Sequence, residues 1–150
     1  MSLYLPAAKT TAGYWFIVQP NKLQGLLFLT ADDQVPFGHW QEWLSQEPEQ
    51  VVQFGSWHQH PCYLVIYQDQ LADERQWHTP RRLLLADDEA AFGHAARASQ
   101  LALFLQTHRF CGQCGHKMDP VRWEFAMTCQ QCQHRVYPRI SPCVLVAITR

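Results

Sequence analysis

Cys111-Gly-Gln-Cys114-Gly-His-Lys-Met118 and Cys129-Gln-Gln-Cys132-Gln-His-Arg-Val136 repeat one short phrase, with fourteen residues between the two cysteine pairs. A CxxC turn offers two thiolates from one side of the chain. Two such turns brought together make the four-sulfur tetrahedron that Zn²⁺ prefers, and the C-x2-C…C-x2-C spacing is a strong metal signal. Cys111, Cys114, Cys129 and Cys132 are therefore read as zinc ligands, with rubredoxin-like iron and a redox CxxC as the alternatives. Four protein ligands close the coordination shell, so the metal is structural and leaves no position for a substrate water. Gly115 is placed for the positive φ that a thiolate-cradling turn needs. Gln133 stands at the equivalent point of the second turn, so the repeat is imperfect. His116 and His134 follow the turns; with four thiols present they are read as surface residues. Trp123-Glu-Phe-Ala-Met127 alternates like a strand leading into the second pair. Two knuckles joined by strands describe a zinc ribbon over residues 108–137.

Upstream of the ribbon, residues 1–107 read as an α+β unit, β-rich at first with one main helix. Gly13–Val18 and Leu26–Leu29 are short apolar runs flanked by Asn, Pro and Gly. Val51–Trp57 and Cys62–Tyr67 are expected to pair as a hairpin across a four-residue loop, His58–Pro61. Leu83–Leu85 is a further candidate strand. Trp40, Trp43 and Leu44 share one face of a short helix that Pro48 closes. The main helix starts at Asp87 or Asp88, whose carboxylates suit an N-cap and the positive end of the helix dipole. Phe92, Ala95, Ala96, Ser99 and Leu103 follow its 3-and-4 spacing. Gly93 costs about 1 kcal/mol relative to Ala and marks a possible break. The helix is expected to end near His108-Arg109.

Downstream, residues 138–150 contain Cys143-Val-Leu-Val-Ala-Ile148, an uncharged, β-branched run of the kind buried on both faces of a sheet. A strand of this sort close to the last residue is read as the start of a further domain.

The chain has 150 residues, 47% hydrophobic and 17% charged, which is the composition of a soluble globular protein able to bury a core. No apolar run reaches the roughly 18 residues of a membrane span, and the first residues do not read as an export signal. With six cysteines in that setting, reduced thiolates are favoured over disulfides. The expected location is the cytoplasm, with no membrane partner. Charge is uneven. Residues 1–106 carry six bases against eleven carboxylates, a net of −5, and residues 107–150 carry six bases against two, a net of +4. Four thiolates and one Zn²⁺ add −2, leaving the ribbon side modestly basic, suited to phosphates but short of a nucleic-acid stripe.

The order of β-rich acidic region, helix, CGxCG knuckle, Trp-containing strand, second CxxC, Tyr137-Pro-Arg-Ile-Ser-Pro142 and aliphatic strand resembles the N-terminal half of bacterial NADH pyrophosphatases of the Nudix superfamily. The resemblance spans nearly the whole chain and is specific over residues 108–148. It implies a zinc ribbon between an N-terminal α/β domain and a C-terminal Nudix domain. It also implies hydrolysis of NAD(H) to NMN(H) and AMP, removal of NAD caps from RNA, dependence on Mg²⁺ or Mn²⁺, and a homodimer. By the same resemblance Tyr137, just before the Pro-Arg pair, lies at the nucleotide pocket where the dimer partners meet. The chain departs from the family in one respect. Nudix catalysis needs the box G-x5-E-x7-R-E-U-x-E-E-x-G-U (U aliphatic), and this sequence contains no Arg-Glu and no Glu-Glu dipeptide. The 150 residues are therefore expected to be the N-terminal and ribbon part of such an enzyme and inactive alone, with Cys143–Ile148 the first strand of a truncated Nudix domain.

Other residues have plainer readings. His58 and His60 form an H-x-H that suits an ordinary polar turn better than a metal. Cys62 and Cys143 sit in apolar runs and read as inert core thiols. Asp87, Asp88 and Glu89 are explained by helix capping. The six tryptophans are core or interface candidates. The competing function is a stand-alone zinc-ribbon module for nucleic acid or protein, with Arg122, Arg135 and Arg139 meeting phosphates; a purely structural subunit is the third reading. The acidic N-terminal region opposes nonspecific nucleic-acid binding.

Overall fold

A computed structural model describes residues 2–19, 26–67, 76–140, 144 and 146. Ten strands and two helices follow one another among these residues: β1 Tyr4–Leu5, β2 Gly13–Gln19, β3 Leu26–Phe28, β4 Phe37–Gly38, β5 Val51–Trp57, β6 His60–Ile66, β7 Trp77–His78, α1 Arg81–Leu85, α2 Glu89–Thr107, β8 Met118–Pro120, β9 Met127–Cys129 and β10 Arg135–Val136. The expected α+β class is what the chain adopts. The first seven strands form one mixed sheet in the order β1-β5-β6-β2-β3-β7, with β4 on the free part of β2. β2 and β6 run parallel in its centre, with Tyr14 to Val18 in register with Cys62 to Ile66.

Both faces of this sheet are covered, which explains why β2 and β6 are apolar at consecutive positions. Phe16, Val18, Val52, Phe54 and Leu64 point to the face under α2, and Trp15, Ile17, Tyr63 and Val65 to the other. The second face is closed by Ala7, Leu44, Trp40 and Trp43. The 3-10 turn at Trp40–Glu42 takes the place of the expected short helix, with the Trp40 carbonyl accepting from the N–H groups of Trp43 and Leu44. On the first face α2 lays down Ala91, Ala95, Ala98 and Ala102. Side chains this small let the helix axis approach the sheet closely.

The helix begins at Asp88, not Asp87: the Asp88 carboxylate accepts from Ala91 N–H at 2.8 Å. It runs unbroken through Gly93, whose missing Cβ would meet nothing within 4 Å. The buried stripe is turned by about one residue from the expected one. Ala91, Ala98 and Ala102 take the inner positions, Phe92 and Ser99 flank them, and Leu103 is 59% exposed.

Three local expectations are corrected. The hairpin turn has two residues, His58 and Gln59, at φ 47° and 66°, so His60 and Pro61 join the strand. Two consecutive left-handed residues match the right-handed strand twist, as a type I′ turn does. Leu83–Leu85 is helical, because Pro80 stands at its start with φ −53° and ψ −25° already set for a helix. Leu83 is buried, while the Arg82 guanidinium of the same turn reaches Asp33 at 2.8 Å and holds that carboxyl below its ordinary range. Residues 122–125 form a turn, not a strand, closed by Val121 N–H to Ala126 C=O at 2.9 Å; strand β9 begins only at Met127. The strand expected over Cys143–Ile148 lies, Val144 and Val146 apart, outside the described residues.

Gly13 is required by space. A Cβ there would sit 2.5 Å from the Pro61 carbonyl oxygen and 2.9 Å from the Tyr63 ring. Gly13→Ala is expected to lose about 1–3 kcal/mol through overpacking, readable as a lower denaturant midpoint at unchanged slope. An unchanged midpoint would mean that β2 and β6 do not approach as described.

Candidate metal centre

Strands β8, β9 and β10 form a second, antiparallel sheet in the order β10-β9-β8. Met118 faces Cys129 and Val136 faces Met127, so one side of this sheet is apolar. That side packs with Phe104 and Leu105 at the end of α2. The N-terminal segment makes a second tie. Leu3 donates its N–H to the Arg122 carbonyl at 2.6 Å and accepts from Gln53 N–H at 2.7 Å, so one residue joins the first sheet to the 122–125 turn of the ribbon.

The two knuckles are built alike. Cys111 N–H donates to the His116 carbonyl (2.7 Å) and Gly115 N–H to the Cys111 carbonyl (2.9 Å). Cys129 N–H donates to the His134 carbonyl (2.9 Å) and Gln133 N–H to the Cys129 carbonyl (3.0 Å). Gly115 has φ 77°, as the sequence led us to expect, and Gln133 adopts φ 63° at the same place. The second knuckle thus carries the strain of a left-handed non-glycine residue that the first avoids.

These turns bring the sulfurs of Cys111, Cys114, Cys129 and Cys132 within 4.8 Å of one another. The Cys111–Cys132 and Cys114–Cys129 Sγ separations are 3.6 and 3.4 Å. Both exceed a disulfide bond of about 2.05 Å. They lie close to the roughly 3.8 Å edge of a tetrahedron whose Zn–S bonds are about 2.3 Å. The donor set therefore fits zinc. Electrostatics agree with this. Burial opposes ionisation of Cys111, but backbone N–H groups of Cys114 and Gln113 outweigh it and bring the thiol down to about 6. Cys129 is lowered too, first by the Cys132 N–H. Backbone N–H groups of His116 and His134 favour the thiolates of Cys114 and Cys132. Burial and the crowded sulfurs prevail there, and Cys114 is pushed up to about 12. Four like charges cannot gather in this volume unaided; a coordinated dication makes all four thiolates favourable.

Residues 106–137 match the NADH pyrophosphatase zinc ribbon domain. The family match falls on the four-cysteine ribbon. It is 37% identical over 139 residues to the NAD-capped RNA hydrolase NudC of Haemophilus influenzae (strain PittEE), covering 92% of this chain and 49% of that protein. It is 36% identical over 141 residues to the proteins of the same name from Pasteurella multocida (strain Pm70) and Yersinia pseudotuberculosis serotype O:1b (strain IP 31758). The chain thus spans about half the length of the curated relatives it matches.

Tyr137 follows directly on β10 and is 50% exposed. The structure does not bring His58 and His60 into a metal cluster: among the described residues the four cysteines are the one such group. Instead His58 lies against Trp57, ring centroids 5.1 Å apart, and His60 against Phe37 at 4.9 Å. Cys62 is buried in β6, and burial raises its thiol to about 11, as an inert core residue requires. Cys143 lies outside the described residues. Arg135, one of three bases available for phosphates, is bound to Glu124 at 2.9 Å. This engagement weakens the reading of the ribbon as a nucleic-acid module. Among the described residues no helix is long and apolar enough to cross a membrane.

Proposed function

We propose that this chain is the N-terminal and zinc-ribbon part of an NAD(H) diphosphatase that hydrolyses NAD(H) to NMN(H) and AMP and removes NAD caps from RNA. The observation that carries the proposal is the coincidence of the family's ribbon at residues 106–137 with a match over 92% of the chain to NAD-capped RNA hydrolases. On this reading Cys111, Cys114, Cys129 and Cys132 hold a structural Zn²⁺ that fixes the ribbon on the end of α2. Residues 1–107 form the N-terminal domain, 108–137 the ribbon, and 138–150 the start of a Nudix domain. The enzyme works as a cytoplasmic homodimer. The carboxylates of a Nudix box, which these 150 residues do not contain, would hold Mg²⁺ or Mn²⁺, and the ion would supply charge neutralisation at the diphosphate.

The part this chain plays at the substrate is a wall. Tyr137 offers a half-exposed ring to the nicotinamide or the adenine, and stacking on a flat base contributes about 1–3 kcal/mol without a sequence requirement. The test is NMNH release by the full-length gene product with Mg²⁺, beside the 150-residue chain alone. Activity is expected in the first and none in the second. Tyr137→Ala in the active protein is expected to raise the NADH KM roughly tenfold. A full-length protein without NADH hydrolysis would remove the functional reading, and an unchanged KM would remove Tyr137 from the site.

A further inference from the structure

Apart from the metal centre, the N-terminal sheet and helices enclose a cavity of about 450 Å³ that no cysteine lines. Its size is that of a small-molecule site. Four parts of the chain meet there. Tyr14 comes from β2 and Trp57 from the end of β5. The β3–β4 connection adds Asp32 and Asp33, and the two helices add Leu83 and Asp88. We propose that this cavity binds a small organic ammonium ion, held against the Trp57 and Tyr14 rings and neutralised by the Asp32 and Asp88 carboxylates.

The rings are placed before any ligand arrives. Tyr14 and Trp57 are partly buried, with centroids 4.4 Å apart. Phe37 braces Tyr14 at 4.9 Å, and His94 of α2 braces Trp57 at 5.4 Å. Rings held in this way lose little freedom on binding. The face of an aromatic ring attracts a cation through its quadrupole, indole most strongly, and the attraction grows where water is excluded. Buried Leu83 adds an apolar surface for the methyl or methylene groups beside the charge. The carboxylates differ in what they already hold. Arg82 engages Asp33 at 2.8 Å. Asp88 accepts the Ala91 N–H on one oxygen and keeps the other. Asp32 is exposed and makes no ion pair among the described residues. Three carboxylates against one guanidinium leave a net of −2 here, in a region where residues 1–106 carry −5. That charge repels phosphate, so the ligand is a free cation and neither a dinucleotide nor a phospholipid headgroup.

The test uses the zinc-loaded 150-residue chain and the nuclear magnetic resonance signal of the Trp57 indole N–H, identified by its loss in Trp57→Phe. Choline chloride is expected to shift that signal saturably, and sodium chloride at the same ionic strength is not. Two further probes separate the contributions. The uncharged isostere 3,3-dimethylbutanol is expected to bind about tenfold more weakly, because the rings and carboxylates then meet no charge. Phosphocholine is expected to bind about tenfold more weakly as well, because its phosphate meets the carboxylates. Asp32→Asn changes an exposed side chain and is expected to weaken choline about threefold, the scale of an exposed ion pair. Four results would each overturn the proposal: no saturable shift with choline, equal binding of the isostere, equal binding of phosphocholine, or a choline affinity unchanged in Asp32→Asn.

Discussion

Replacing Cys129 by serine is expected to abolish stoichiometric zinc binding and to unfold residues 110–137 while the N-terminal sheet persists. Cys129 is fully buried, and its sulfur faces Cys114 at 3.4 Å. A hydroxyl there is a poor partner for Zn²⁺, and three thiolates with a misplaced fourth donor leave the tetrahedron incomplete. The consequence is large because metal binding is folding energy in such modules, about 10–16 kcal/mol in isolated zinc-finger peptides. The ribbon has little else: its core is Phe104, Cys111, Met118, Met127 and Cys129, of which two are ligands. The seven-stranded sheet shares none of this core, so far-UV circular dichroism should retain most of its signal. Metal analysis of purified protein should give about one zinc per chain for the parent and for His116→Ala and His134→Ala, and a small fraction of that for Cys129→Ser. Full zinc retention by Cys129→Ser would show that the four-sulfur assignment is wrong.

Phe16→Ala should be the most damaging single truncation in the N-terminal domain. Its ring is fully buried in β2, edge-on to Phe54 at 5.2 Å and beside His94 of α2 at 6.2 Å. It therefore joins β2, the next-but-one strand β5 and the helix at one point. Removing a buried aromatic side chain costs about 3–5 kcal/mol when the site cannot collapse. Collapse is blocked here because the adjacent strand is held in parallel register and the helix above already presents alanines. At roughly 2–4 °C per kcal/mol for a chain of this size, the midpoint should fall by about 6–20 °C. A loss below about 1 kcal/mol would place Phe16 outside the packed core. His94 supplies an internal check. Burial holds its ring below the ordinary histidine range, with Arg97 and His58 adding to the effect. Loosening the Phe16 site admits water and should move the His94 titration upward.

The metal centre was legible because its signal is local. Four cysteines at fixed spacing carry the site wherever the rest of the chain goes, and Gly115 marks the turn that needs a left-handed residue. The strands β2, β3 and β5 were legible from short apolar runs between turn residues. What failed did so where distant contacts decide. Leu83–Leu85 reads as a strand until Pro80 and the Asp33–Arg82 contact are seen to hold a helical turn. The α2 stripe was misplaced by one position because alanines are weak hydrophobic markers yet ideal for close approach to a sheet. The parallel pairing of β2 with β6 joins segments about fifty residues apart and leaves no local trace. The Glu124–Arg135 pair was invisible for the same reason, since a turn had to replace the expected strand before the two could meet.

Leu3 is joined to Gln53 on one side and to Arg122 on the other, and chain growth delivers those partners at different times. At about 5–20 residues per second, Arg122 emerges roughly 6–24 s after Leu3. Strand β1 can settle on the sheet edge early, but its second hydrogen bond must wait for the ribbon, and the ribbon for its metal. The amide of Leu3 is thus a clock for assembly. Its protection from exchange reports the moment at which the later-made ribbon closes over the earlier-made N-terminal segment.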